Sequence, residues 1–213
     1  NLIAILVTYF IAMISIVMMS IILMKHYRLQ QDKLSELANQ LQEVAHLDPL
    51  THIYNRRYLV EYLNKKMKIE SQKFAVVLLD IDDFKSINDT LGHIFGDEVL
   101  VVVAKRLNEL IEEHVFIARF GGDEFLILLE KTQDMMEIQN FVDSVFQLFK
   151  EPIEIEGNPI KIDFSMGISR FPQDSHAFNQ IMMNADLALY TVKNSGKNHY
   201  AFFDTEMENL LKQ

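Results

Sequence analysis

The chain has 213 residues, 20 Lys and Arg against 30 Asp and Glu, and a formal net charge of -10. So acidic a chain does not track a nucleic-acid backbone by bulk electrostatics, so no nucleic-acid partner is expected. The lack of any Cys excludes a disulfide scaffold, a thiolate nucleophile, Cys-ligated zinc and iron–sulfur clusters. Four Pro and seven Gly do not describe a low-complexity chain.

From Leu2 to Met24 there is no charge, and Thr8, Ser15 and Ser20 are the clearly polar breaks. At about 1.5 Å per residue such a run covers a hydrocarbon core of roughly 30 Å, so residues 1–24 are expected to form a transmembrane helix. A cleaved signal peptide fits less well, since no basic n-region precedes the run and no A-x-A-like site follows. Lys25, His26, Arg28 and Lys33 form a basic flank that places the C-terminal side in the cytoplasm. Because the chain starts at Asn1, it is expected to be a fragment of a longer protein.

Residues 25–46 read as a helical linker. Leu34, Leu37, Leu41 and Val44 are spaced 3-4-3, a short coiled-coil-like seam; the alternative is one amphipathic helix lying on the next domain. Beyond Leu47 the pattern is that of one domain. Helices are expected over Asn55–Lys68, Phe95–Ile111, Met135–Phe149 and Phe178–Lys193. Phe74–Leu79 (FAVVLL) reads as a strand buried on both faces. Val115–Phe120 and Glu124–Leu129 flank Gly121-Gly122 as a hairpin, and Ile153–Ile155 with Ile160–Ile168 form a second around Gly157-Asn158. Tyr200–Phe203 is a last strand. The fold class is mixed α/β, an antiparallel-centred sheet covered by helices.

Two acidic clusters end apolar strands: Asp80-Ile81-Asp82-Asp83 after FAVVLL, and Asp123-Glu124 at the Gly-Gly hairpin. Carboxylates at the ends of neighbouring buried strands repel one another unless a cation lies between them. Hard divalent ions suit oxygen ligands, and Mg²⁺ typically takes one or two carboxylates plus substrate phosphates. Lys85, Lys193 and Lys197 are candidate phosphate donors in an otherwise acidic chain. Asn88 and Asp97 carry the donor and acceptor types that match a guanine edge, although such residues also serve as caps and turns.

Four segments together resemble a known family. RFGGDEF at Arg119–Phe125 is similar to the signature of GGDEF-domain diguanylate cyclases. LDPLTHIYNRR at Leu47–Arg57, LDIDDFKSINDTLGHIFGD at Leu79–Asp97 and ADLALYTVKNSGKN at Ala185–Asn198 resemble that family's other motifs, in the same order. The resemblance spans about Leu47 to Asp204. It implies a palm-like, ferredoxin-related α/β domain over 47–204, with 205–213 a C-terminal helical extension or linker. It also implies a homodimer, joined through the linker helix and the GGDEF domains, that condenses two GTP into cyclic di-GMP and pyrophosphate.

By position, the resemblance makes Asp80 and Asp123 the carboxylate ligands of two Mg²⁺ or Mn²⁺ ions per half-site, with the Ile81 carbonyl as a further ligand. Asp123 is also the catalytic position, supported by Glu124. Asn88 and Asp97 would read guanine. Lys85, Lys193 and Lys197 would hold phosphates, with backbone N–H groups around Asp83 and Phe84. Together with the basic flank it implies a protein of the bacterial cytoplasmic (inner) membrane.

The chain departs from the family pattern in three respects. Glu112, Glu113, His114 and Val115 stand where an Arg-x-x-Asp product-inhibition site is expected, so that site is absent. Lys197 replaces a common Arg and loses bidentate geometry. His52 replaces a Gly, which should affect a turn more than the chemistry. AFFDTEMENLLKQ at the C-terminus resembles the linker into an EAL phosphodiesterase domain. The alternative function is therefore a non-catalytic GTP-binding regulatory module.

Overall fold

A computed structural model describes residues 10, 13–14, 17–31, 33–34, 46–69 and 72–207. The chain divides into two compact units, Asn1–Ala45 and His46–Gln213. In the first, the described residues are helical and exposed. Among the described residues no helix is long and apolar enough to cross a membrane. The expected span 1–24 lies partly outside them, as do the seam positions Leu37, Leu41 and Val44 and the C-terminal residues 208–213.

The second unit is built on a six-stranded sheet of order β1-β3-β4-β2-β7-β8. Its strands are β1 (Tyr54–Asn55), β2 (Phe74–Ile81), β3 (Val115–Gly121), β4 (Glu124–Glu130), β7 (Phe164–Phe171) and β8 (Tyr200–Phe202), while β5 (Ile153–Ile155) and β6 (Asn158–Ile160) form a separate small ribbon. The helices are α1 (Arg56–Lys66), α2 (Phe84–Leu91), α3 (His93–Asn108), α4 (Met135–Leu148) and α5 (Phe178–Asn194). β2 is buried at every position because cores lie on both of its faces. Val76 and Leu78 pack in one core with Leu59 and Leu63 of α1 and Ile181 and Leu189 of α5. Ala75, Val77 and Leu79 pack in the other with Val99 and Val103 of α3 and Ile138 and Val142 of α4. Each fully buried Leu or Ile side chain contributes roughly 1.5–3 kcal/mol relative to exposure, so the continuous apolar run in the sequence is the direct cause of the central strand.

The registers bring the two acidic clusters to one end of the sheet. Asp80 lies opposite Glu124 in the antiparallel β2–β4 pair and opposite Ser165 in the antiparallel β2–β7 pair. The sheet is antiparallel at its centre, as the sequence reading has it, and its two edge pairs, β1 with β3 and β7 with β8, are parallel. The structure departs from that reading in two places. Phe84–Leu91 forms a helix of its own, cut from α3 at Gly92 with φ +90; Phe84, Ile87 and Leu91 do recur at i, i+3 and i+7, but eight residues are fewer than the window over which such a period decides. The strand expected over Ile160–Ile168 is two strands, β6 pairing with β5 and β7 with β2. Ile160, Ile162 and Phe164 alternate straight through that break, so periodicity could not reveal it.

The opening motif forms a tight turn. The Asp48 carboxylate accepts from the Thr51 N–H at 2.9 Å and the Thr51 hydroxyl at 2.8 Å, and the His52 N–H donates to the Asp48 carbonyl at 2.9 Å. His52 then sits at φ +58, a left-handed conformation that a Gly adopts without a Cβ penalty.

Candidate active site

The polar end of the sheet gathers residues that are far apart in the chain. Asp80, at the end of β2, is buried, and Lys193 near the end of α5 places Nζ 2.7 Å from its Oδ2. Glu124 stands across the ladder on β4. Burial pushes the Asp80 carboxyl above the usual carboxylate range, and the charge on Asp123 adds to this against the opposing hydrogen bond from Lys193. Glu124 is raised in the same way, first by burial and then by the Asp80 charge. The site therefore concentrates negative charge where water screens it poorly.

Asp123 occupies the turn between β3 and β4, and its carbonyl accepts from the Ile81 N–H at 3.4 Å. That turn is pinned from below. The Arg119 guanidinium donates to the Gly122 carbonyl at 2.8 and 3.1 Å and to Asp48 Oδ1 at 3.0 Å, so the opening motif braces the Gly-Gly turn. Burial raises the Asp48 carboxyl, but the Thr51 and Arg119 hydrogen bonds outweigh it and hold it below the usual range.

Asp83 starts α2 at φ +58 and makes no side-chain cap bond. Its carboxylate instead accepts from Lys197 Nζ at 2.7 Å, so it does not cap the Phe84 and Lys85 N–H groups that open α2, which suit a phosphate, while the Ser86 N–H donates to the Asp83 carbonyl at 2.8 Å. Lys85 lies exposed on the same first turn. Asp80, Glu124, Asp83, Lys193 and Lys197 are thus brought together by pairings the sequence order does not suggest.

Asn88 and Asp97 are related through Gly96. A Cβ on Gly96 would lie 2.0 Å from Asn88 Oδ1 and 2.9 Å from its Cγ, so the Asn88 amide rests directly on the α3 backbone beside Asp97. The blocked atoms belong to a side-chain tip, which can swing aside. Gly96→Ala should therefore leave the melting temperature nearly unchanged, while weakening GTP binding several-fold by displacing the Asn88 amide. Titration with GTP beside a thermal melt checks this, and a variant that binds GTP normally would show that Asn88 does not read the base.

Among the described residues no three His, Cys, Asp or Glu side chains form a ready cluster of metal ligands. The donors present are of the hard oxygen type suited to Mg²⁺ or Mn²⁺, with phosphate oxygens completing the shell. Sequence reasoning passed over Asp82 and Ser165 as functional residues. Asp82 was visible as one of a run of acids, and Ser165 gave no signal until its place beside Asp80 was known.

The fold is of the palm-like α/β class, a central sheet covered by helices. The profile of the family described as "Diguanylate cyclase, GGDEF domain" matches residues 45–199, and the chain belongs to that family. It is 33% identical over 177 residues to the bifunctional diguanylate cyclase/cyclic di-GMP phosphodiesterase MucR of Pseudomonas aeruginosa, covering 82% of this chain and 26% of that protein. It is 35% identical over 176 residues to a diguanylate cyclase of Vibrio cholerae, covering 81% of this chain and 54% of that one. The GGDEF domain of TpbB from Pseudomonas aeruginosa superposes with a TM-score of 0.75 at 28% identity, covering 79% of this chain and all of that one. The coiled coil and GGDEF domain of DgcB from Caulobacter crescentus, solved with c-di-GMP, gives 0.72 at 25% identity, over 81% and 93% of the two chains. The chain spans about a quarter of the length of the first curated relatives it matches.

Proposed function

We propose that the chain is a diguanylate cyclase that condenses two GTP into cyclic di-GMP and two pyrophosphates across a GGDEF homodimer. The observation that carries this reading is the single end of the sheet at which Asp80 and Glu124 face each other while Lys193 and Lys197 reach Asp80 and Asp83 at 2.7 Å. Asp80 and Asp123, with the Ile81 carbonyl, would hold divalent ions, with Glu124 beside them. A bound Mg²⁺ would activate the attacking hydroxyl and neutralise charge on the phosphates.

The remaining work falls to the chain's own groups. Asn88 and Asp97 orient the guanine. Lys85, Lys193, Lys197 and the N–H groups opening α2 take the phosphates. Because each chain offers one such set, the 3′-hydroxyl and the α-phosphorus it attacks come from different protomers, and the dimer supplies their mutual orientation. Family members named diguanylate cyclases in Pseudomonas aeruginosa and Vibrio cholerae support synthesis as the activity.

The uncharged run before Met24 and the basic flank after it support anchoring in the bacterial cytoplasmic membrane with this domain on the cytoplasmic side. With Glu112, Glu113, His114 and Val115 in place of the Arg-x-x-Asp pattern, feedback through that site is lost. A second reading, a GTP-binding regulatory module of a tandem protein, draws support from the C-terminal segment and from relatives named as bifunctional or as phosphodiesterases. Incubating the chain with GTP and Mg²⁺ and measuring cyclic di-GMP by mass spectrometry separates the two. GTP binding without product would favour the module.

The metal site also predicts a linkage to pH that needs no turnover. The raised carboxyls of Asp80 and Glu124 bind protons more tightly in the folded state than in the unfolded chain. Their contribution to stability is therefore full below the ordinary carboxylate range and is lost as pH rises through their raised folded values. Millimolar Mg²⁺ should restore it, raising the melting temperature at about pH 7.5 and much less at about pH 4.5, where protons compete with the ion. Equal shifts at both pH values would mean the ion binds elsewhere.

A further inference from the structure

We propose that Asp82 is a positioning residue that clamps the Gly196–Asn198 loop onto the end of β2 and thereby sets the lysines for phosphate. This rests on the nucleotide reading above and gives that site a residue it lacked. Asp82 adjoins Asp80 and Ile81, yet both its carboxylate oxygens are already engaged. Oδ1 accepts from the Ser165 hydroxyl at 2.7 Å, and Oδ2 accepts from the Asn198 N–H at 2.9 Å. Its own N–H donates to the Asp163 carbonyl at 2.9 Å. Each oxygen keeps a second lone pair, but the two bonds aim this carboxylate at Ser165 and the Asn198 N–H, whereas Oδ2 of Asp80 meets Lys193 at 2.7 Å.

The loop it holds needs holding. Gly196, Lys197 and Asn198 lie at φ +124, +59 and +52, three successive residues in the positive-φ region, two of them with a Cβ. Such a run persists only where surrounding contacts over-determine it. His199 supplies one brace through Nδ1, 2.7 Å from the Lys197 carbonyl, and the Lys197 N–H supplies another by donating to the Val192 carbonyl at 3.2 Å. Both of these stay within the C-terminal segment. Asp82 joins the loop to the acidic turn after β2 and to β7 through one side chain, across separations of 116 and 83 residues, beside the Lys197–Asp83 pair and the Met166 N–H on the His199 carbonyl at 3.0 Å. With that tie in place, Lys197 reaches Asp83 and α5 ends with Lys193 over Asp80.

The test compares the full chain with its Asp82→Ala, Asp82→Asn and Ser165→Ala variants. Hydrogen exchange is followed over residues 196–199, and binding is measured with a GTP analogue carrying a methylene between the α and β phosphates, over a range of Mg²⁺. In Asp82→Ala the Asn198 amide should exchange at least about tenfold faster and the analogue should bind about tenfold more weakly, as the loss of charged hydrogen bonds implies. The Mg²⁺ concentration giving half-maximal effect should not move. Asp82→Asn should recover most of both, because its amide oxygen can accept from Asn198 while its NH₂ donates to Ser165 Oγ. Ser165→Ala should lie between Asp82→Ala and the wild type, and it serves if Asp82→Ala does not fold. Unchanged exchange over 196–199 would overturn the proposal, as would a loss of Mg²⁺ affinity matching the loss of nucleotide affinity. A wild-type chain that binds no analogue would refute the nucleotide reading, and the exchange arm would still decide whether the clamp exists.

Discussion

Asp123→Ala is expected to abolish cyclic di-GMP formation, by at least about a thousandfold, while the far-UV circular dichroism and the melting temperature stay close to those of the wild type. The residue lies in the turn between β3 and β4, outside both hydrophobic cores. The hydrogen bond it contributes to the sheet comes from its backbone carbonyl to the Ile81 N–H, which Ala keeps. The turn itself is fixed by Arg119 on the Gly122 carbonyl and on Asp48, again without the Asp123 side chain. Removing one carboxylate from the group that includes Asp80 and Glu124 also relieves repulsion, so stability should rise slightly if it moves at all. On the function proposed above, what is lost would be a hard oxygen ligand at the point where charge develops on the phosphate. Collapse of the dichroism spectrum would mark Asp123 as structural, and retained product formation would move the metal site to Asp80 and Glu124 alone.

How much of the site was legible in the sequence is clearest at the acidic end of β2. Its apolar run FAVVLL announces a strand buried on both faces, and Asp80 follows at once, so the position of the acidic cluster at a strand end was legible from pattern and chemistry together. The Gly-Gly hairpin placed Asp123 and Glu124 in the same way. The partner of that strand end was not legible. Lys193 and Lys197 come more than a hundred residues later, and only the β2–β7 pairing and the packing of α5 on β7 bring them to Asp80 and Asp83. α2 was also hard to see, since its stripe of Phe84, Ile87 and Leu91 runs for only two turns inside a motif dominated by acids. Asn88 and Asp97 looked like a cap and a turn residue in isolation. Their functional reading needed either the family resemblance or Gly96, whose missing Cβ is what lets the Asn88 amide settle next to Asp97.

Gly167→Ala should be the most destabilising single-methyl change in the domain, in contrast to Gly96→Ala. Gly167 is on β7, on the face that carries α5, and a Cβ there would lie 2.0 Å from the Ala185 carbonyl oxygen and 2.3 Å from the Leu189 nitrogen. These are backbone atoms of a helix, with no rotamer to escape into, so α5 as a whole must lift from the sheet. The helix buries Ile181, Ala185 and Leu189 in the core shared with Val76 and Leu78, and opening that interface adds lost packing to the overlap. A cost of roughly 3 kcal/mol is expected, which in a domain of this size lowers the melting temperature by about 10 °C. A melt within about 2 °C of the wild type would show that α5 shifts without penalty. The same change bears on function, because α5 ends at the lysine that meets Asp80. If Lys193 holds phosphate as proposed, the variant should, below its lowered melting temperature, still bind GTP more weakly than the wild type, since a helix raised from the sheet carries Lys193 away from Asp80.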